Sequence, residues 1–172
     1  GEYAFYGCSN ITNITLSDDT ERVENDAFLG CSNLQFNTYD NAKYLGSSNN
    51  LYLVLFAANS TTITSCNINP NTKVIYSSAF ANCSQLGSLI IPDNIINIGY
   101  YAFGGCTNLK FNVFDNANYL GNTSNPYLVL VSALDENITS CEINRNTKFI
   151  AYFAFENCSS LTSIFVPSNI TE

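Results

Sequence analysis

The chain has 172 residues, 46% hydrophobic and 13% aromatic, which is enough for one domain with a packed core and excludes a disordered or tail-like segment. Its net charge is −8, and its 6 bases (Arg22, Lys43, Lys73, Lys110, Arg145 and Lys148) are scattered, so a phosphate backbone would repel it and no nucleic-acid partner is expected. No apolar run approaches the roughly 20 residues of a membrane-spanning helix, and the longest, LYLVLFAA and PYLVLVSAL, are strand-sized.

Taken in chain order, the sequence repeats itself. Ala-Phe pairs stand at Ala4-Phe5, Ala27-Phe28, Ala79-Phe80, Ala102-Phe103 and Ala154-Phe155, and each is followed by a cysteine: Cys8, Cys31, Cys83, Cys106 and Cys158. Between them runs a second pattern, an apolar residue with two more at +3 and +5. It starts at Ile11 (Ile14, Leu16), Ile63 (Cys66, Ile68), Leu86 (Leu89, Ile91), Ile138 (Cys141, Ile143) and Leu161 (Ile164, Val166), with weaker copies at Leu34 and Leu109. The starts give seven turns over the whole chain, repeating as a unit of 75 residues, and 40 of 71 positions are identical when 27–97 is laid over 102–172. That is a duplication.

Each +3/+5 pair alternates as a strand does, with both apolar residues on one side. A short strand cannot bury that side alone, whereas stacked copies form a parallel sheet over a continuous core, so the expected fold is a β-rich repeat solenoid. Pro92 and Pro167 end their strands. Val23, Ile75, Ile98 and Ile150 should point inward from the returning half of each turn, and each Ala-Phe-x-x-Cys should form a short helical or 3₁₀ turn with Phe and Cys on one interior face. Twice the turn is missing: KYLG with LYLVLFAA, and NYLG with PYLVLVSA, flank polar turn segments and read as two inserted β-hairpins 75 residues apart. The chain opens at GEYAFYGC and closes at VPSNITE, inside the pattern. Residues 1–172 are therefore expected to be a single solenoid piece of a longer protein.

The cysteines number 7, an odd count, and occupy core positions of the repeat, so buried free thiols are expected rather than disulfides. With no histidine and no C-x-x-C, neither a metal site nor a thiol or serine triad can be assembled from familiar parts, and no catalytic residue, metal or cofactor is assigned. A carboxylate pair could in principle hydrolyse glycosides, but Asp18, Asp19, Glu21, Glu24 and Asp26 cluster in a turn-like segment that reads as solvated surface. Asp40-Asn41 and Asp115-Asn116 lack the dense oxygen spacing of calcium loops and read as turn caps. Eight N-x-S/T sequons, at Asn10, Asn13, Asn59, Asn82, Asn122, Asn137, Asn157 and Asn169, follow from a composition rich in Asn, Ser and Thr. Those at Asn82 and Asn157 adjoin core cysteines, where a glycan would be awkward.

Alternation places two columns on the outer, concave face. One runs Asn13, Phe36, Ser65, Ser88, Phe111, Ser140, Ser163, and the other Thr15, Thr38, Asn67, Ile90, Val113, Glu142, Phe165. The candidate binding residues are Ser88, Ile90, Phe111, Val113, Ser140, Glu142, Ser163 and Phe165, with Ile90, Phe111 and Val113 as an apolar island. A second reading competes: a bulge in LQFNTY and LKFNVF would turn Phe36 and Phe111 inward and spare Asn37 and Asn112 from burial.

On IGYYAFGGCTNL, SSAFANCSQLGSLIIPDNI and AFENCSSLTSIFVPSNI, the chain resembles the BspA-like leucine-rich repeats of bacterial and some protist surface proteins. The resemblance implies a curved leucine-rich-repeat solenoid, exported to the cell surface and used for adhesion or recognition, with an extracellular protein or glycan as partner and no shared catalytic residues; a bacterial source, in which the sequons carry no glycans, is expected. A passive spacer in a surface protein is the alternative, and a carbohydrate-active enzyme the remote one. Uncapped solenoid ends add the expectation of end-to-end self-association.

Overall fold

The protein is seen in a computed structural model that describes residues 1–171. It is a β-solenoid of short strands, with no helix among the described residues. The strands in chain order are β1 (Asn37–Tyr39), β2 (Ala42–Leu45), β3 (Val54–Ala58), β4 (Ser65–Asn67), β5 (Val74–Ile75), β6 (Ser88–Ile90), β7 (Asn97–Ile98), β8 (Asn112–Phe114), β9 (Ala117–Leu120), β10 (Val129–Ala133), β11 (Ser140–Glu142), β12 (Phe149–Ile150) and β13 (Ser163–Phe165).

The +3/+5 pattern forms parallel strands as expected, but the sheet it builds is not continuous. β4 pairs with β6 and β11 with β13, in the register Ser65↔Ser88, Cys66↔Leu89, Asn67↔Ile90 and Ser140↔Ser163, Cys141↔Ile164, Glu142↔Phe165. In the weak copies, contact with the preceding turn begins at Gln35 N–H to Thr12 O and Lys110 N–H to Gly87 O, and the chain then turns away. There β1 and β8 pair antiparallel with β2 and β9, which pair antiparallel with β3 and β10. Each expected hairpin is thus the second half of a three-stranded meander. The meander is not an appendage: β3 pairs in parallel with β5, β5 with β7, and β10 with β12, so it is woven into the returning wall. The solenoid path resumes at Gly46 and Gly121, whose carbonyls accept Leu16 N–H and Ile91 N–H. Gly121 is required because Asn125 O lies where its Cβ would stand, and Gly46 meets Asn50 O in the same way.

The Ala-Phe-x-x-Cys segments are turns, a correction to the expected helical or 3₁₀ geometry. Each is two successive i→i+3 hydrogen bonds, as in Ala81 N–H to Ser78 O and Cys83 N–H to Phe80 O. A left-handed residue precedes each Ala and another precedes each Cys: Ser78 (φ 58°) and Asn82 (φ 60°) here, Asp26 (φ 54°) and Gly30 (φ 84°) one turn earlier. Positive φ interrupts the helical sense on both sides, so no helix can propagate. Neighbouring turns stack through their backbones, as in Phe80 N–H to Ala102 O at 2.8 Å, which is why the small Ala recurs.

The core fills from both walls. Phe80, Leu86, Ile91, Ile75 and Val74 are fully buried, as are Tyr44 and Tyr119 of the meanders, whose hydroxyls accept Asn69 N–H and Asn144 N–H at 3.3 Å. Ile75 and Ile98 are buried, while Val23 and Ile150 are half-buried against the core. Thr72 and Thr147, also fully buried, donate their hydroxyls to Tyr52 O and Tyr127 O at 2.9 Å. All 7 cysteines are free; Cys31, Cys66, Cys83, Cys106 and Cys141 are buried, whereas Cys158 is half-buried and Cys8 exposed. No helix of the described residues is long and apolar enough to cross a membrane.

Candidate functional site

The outward residues of the parallel strands form two small faces with the same design. On each, a serine lies beside a serine (Ser65 and Ser88; Ser140 and Ser163), and next to that pair a polar residue lies beside an apolar one (Asn67 and Ile90; Glu142 and Phe165). All eight are exposed, Ile90 at 45% and Phe165 at 51%. The inward residues Cys66, Leu89 and Cys141 are buried, whereas Ile164, in the last strand, is 42% exposed.

The expected island of Ile90, Phe111 and Val113 is not formed. Phe111 is half-buried and packs against the core, and Phe36 does likewise, 4.7 Å from the ring of Phe56. Val113 is exposed but sits on β8, opposite Asn118 of β9, and β8 does not pair with β6. The physical reason lies in the meander. Antiparallel pairing with β9 takes the strand off the parallel ladder, and the large ring ahead of it finds apolar surface by turning in. Asn112 is spared burial and donates to Pro126 O at 3.0 Å, as Asn37 does to Leu51 O.

Peeling β1 and β8 away leaves the facing edges of β4 and β11 without a neighbouring strand, and unpaired edge groups are costly and sticky. Sequence reasoning missed how this is met. Asp40 accepts Asn67 N–H at 2.6 Å through its carboxylate, while the amide of Asn41 donates to Ser65 O at 2.9 Å. Asp115 and Asn116 repeat this on Glu142 N–H and Ser140 O, at 2.7 and 2.9 Å. Two side chains thus stand in for a missing strand, one accepting and one donating. Asp40 and Asp115 also hold a left-handed backbone, φ 47° in both, which only a few residue types tolerate. The signal available in the sequence was the Asp-Asn pair recurring at a 75-residue interval. The site therefore presents a rim carboxylate, a serine pair and one exposed apolar side chain on each face.

Burial pushes the thiols of Cys66 and Cys106 up to about 12 and raises those of Cys83 and Cys141, with the carboxylates of Asp40 and Asp115 adding to the rise at Cys66 and Cys141. These thiols stay protonated near neutral pH and are poor nucleophiles and poor metal ligands. Among the described residues no group of three or more His, Cys, Asp or Glu side chains converges as a metal site would require.

Comparison with known proteins agrees with this architecture. A family model described as the BspA type leucine rich repeat region matches in 6 copies over residues 1–125 and 133–172. No curated protein matches the chain. Among solved structures, a leucine rich cell surface protein from Faecalibacterium prausnitzii A2-165 is similar, with 23% identity and a TM-score of 0.50 over 93% of this chain. This chain spans 43% of that protein's length. A leucine rich repeat protein of T. pallidum aligns over 71% of this chain and 56% of its own, with 19% identity and a TM-score of 0.42.

Proposed function

Since this chain belongs to the BspA-type leucine-rich-repeat family, we propose that it is a non-catalytic recognition module of a cell-surface protein, one that holds an extracellular protein or glycan against the exposed faces of its parallel strands. The observation that carries the reading is the duplicated face. Ser-Ser beside Asn67–Ile90 and Ser-Ser beside Glu142–Phe165 recur at the same register, so one chain presents two equivalent contacts to a repetitive partner. Two linked weak contacts multiply into useful avidity when both can engage at once. The face residues in this proposal are Ser88, Ile90, Ser140, Glu142, Ser163 and Phe165. Location at a cell surface and an adhesive role are proposals that rest on the family and on a solved relative that is a cell surface protein.

The test is binding of the purified chain to an array of extracellular-matrix proteins and glycans, with Ile90→Ser and Phe165→Ser alone and combined. Saturable binding that weakens in each single variant and collapses in the double one supports the reading. Binding by no partner on the array, with the chain well folded, favours the spacer.

A further inference from the structure

The two copies of the super-repeat differ in a coordinated way at one place on the Ala-Phe turns, away from the strand faces. In the first copy the rings of Phe56 and Tyr76 stack at 4.9 Å and 10°, and both lie against Phe28, at 6.2 and 6.4 Å. In the second copy the equivalents of Phe56 and Tyr76 are Val131 and Ala151, while Phe103 stands where Phe28 does. Two rings are gone from the floor, and a cavity of about 210 Å³ opens there.

The rim changes in the opposite sense. Ser77 and Asn25, side chains hydrogen-bonded to one another, correspond to Tyr152 and Tyr100, whose rings meet edge to face at 5.3 Å. Ser78 and Asp26 correspond to Phe153 and Tyr101, and Phe153 lies 5.5 Å from Tyr100. Leu29 corresponds to Gly104, where any Cβ would collide with the Tyr101 ring. Ala81 corresponds to Glu156, which adds a carboxylate to the lining. Phe153 (φ 64°) and Tyr101 (φ 54°) hold left-handed backbone, a conformation suited to the Asp and Ser of the first copy and strained for a bulky ring. Tyr100, Tyr101, Tyr152 and Phe153 are all exposed. The first copy also has a depression, wider at about 430 Å³, over Asp26, Phe28 and Leu29, but Phe56 and Tyr76 themselves line it and it extends toward Cys31 and Phe36.

We propose that this cavity is a binding site for one aromatic side chain of a partner polypeptide, inserted over Phe103 and beneath Tyr101 and Phe153, with a basic residue of the partner next to that ring meeting Glu156. The first copy is the template: the chain's own rings occupy the equivalent space and stack there. The size agrees, because an apolar cavity of about 150 Å³ already accepts benzene. The charge agrees too, since a carboxylate at the rim of a chain with net charge −8 favours a cationic neighbour. Exposed tyrosines around an apolar floor are also the usual make-up of a protein contact.

The chain contains no tryptophan, so a tryptophan probe can be excited selectively at the red edge, where tyrosine does not absorb. The probes are an acetylated Arg-Trp-Arg amide, its Glu-Trp-Glu counterpart, indole alone and, by calorimetry, a cello-oligosaccharide. The wild-type chain is compared with the double variant Val131→Phe/Ala151→Tyr, which installs the first copy's packing and should fold at least as stably. Glu156→Ala is the third protein.

The expected result is saturable binding of Arg-Trp-Arg, weakened at least about tenfold in the filled variant and about twofold to fivefold in Glu156→Ala, the worth of an exposed charge pair. Indole should bind more weakly and be indifferent to Glu156→Ala. Tryptophan binding that survives filling of the cavity overturns the site. Indole binding as tightly as the peptides overturns the polypeptide partner, and preferential binding of the oligosaccharide, lost on filling, overturns the aromatic occupant. No binding by any probe to the folded wild-type chain overturns the proposal outright.

Discussion

Phe80 and Phe5 occupy the same place in the same motif, yet replacing each with Ala should have very different consequences. Phe80 is fully buried between stacked turns, with the ring of Phe103 at 6.4 Å and Cys83, Leu86 and Leu89 in its cluster. Truncating it removes the transfer energy of the ring and leaves a void that neighbours on both sides cannot close, for a loss of about 3–5 kcal/mol. Phe5 is 43% exposed and stacks on one side only, at 5.3 Å from Phe28. Its loss forfeits part of the transfer term and leaves no enclosed void, so about 1–2 kcal/mol is expected. Urea unfolding followed by far-ultraviolet circular dichroism measures both. With a slope of about 2 kcal/mol per M, Phe80→Ala should lower the midpoint by roughly 2 M and Phe5→Ala by less than 1 M. Equal shifts would refute the reasoning, because they would mean that the motif itself, and not its burial between neighbours, sets the cost.

Three further outcomes follow from the same geometry. Cys66, Cys106 and Tyr119 keep their protons up to about 12 in the fold, against ordinary values of 9.0 and 10.0. The unfolded chain therefore releases protons that the folded chain retains, so stability is full below about pH 9 and falls as pH climbs toward 12, by about 1.4 kcal/mol per pH unit for each buried thiol once its unfolded form is ionised; an unfolding midpoint constant from pH 8 to pH 11 would contradict this. Asp40→Ala removes the acceptor of Asn67 N–H, and native-state hydrogen exchange should show that amide about tenfold less protected while the Val74 amide, bonded to Leu53 O, is unchanged. Ile164, Phe165 and Val166 on one edge and Tyr3, Phe5 and Tyr6 on the other are exposed, and light scattering should show a mass that rises with concentration and falls back in Phe165→Ser; a constant monomer mass removes end-to-end association.

The solenoid was legible because its cause is local and repeated. Leu89 and Ile91 two residues apart, with Phe80 and Cys83 three apart, fix which side faces in without knowledge of any partner. The meander's inner pair was legible for the same reason, since KYLG and LYLVLFAA alternate around a polar turn. The outer strand β1 was not, because LQFNTY is a weak copy of the solenoid pattern, with Asn37 at its first inward position, and the choice between ladder and hairpin depends on β2 arriving beside it. The turns were misjudged as helical because Phe and Cys at i and i+3 suit a helix, while the residues that forbid one, Ser78 and Asn82, differ in type from copy to copy. Asp26, Tyr101 and Phe153 hold the same left-handed position as Ser78, so composition could not announce it. On the strand faces, Ile90 and Phe165 came out exposed as alternation demands, whereas Phe111 did not, because its strand left the ladder.

The pattern of difference between the two copies separates scaffold from surface. Asp40, Asn41, Gly46, Tyr44, Thr72 and Cys66 recur unchanged as Asp115, Asn116, Gly121, Tyr119, Thr147 and Cys141. Each either bonds across turns, fills the core or clears a close backbone approach, so each position admits few substitutes. Phe56, Tyr76, Ser77 and Ser78 recur changed, and they change together, from ring-filled floor and polar rim to small floor and aromatic rim. A neutral drift in packing would lose the floor rings without placing Tyr152 and Phe153 above the gap, since exposed aromatic residues gain nothing from a cavity they do not fill. The coordinated exchange is the reason to regard the second copy's turn as a place shaped for a ring that this chain does not itself supply.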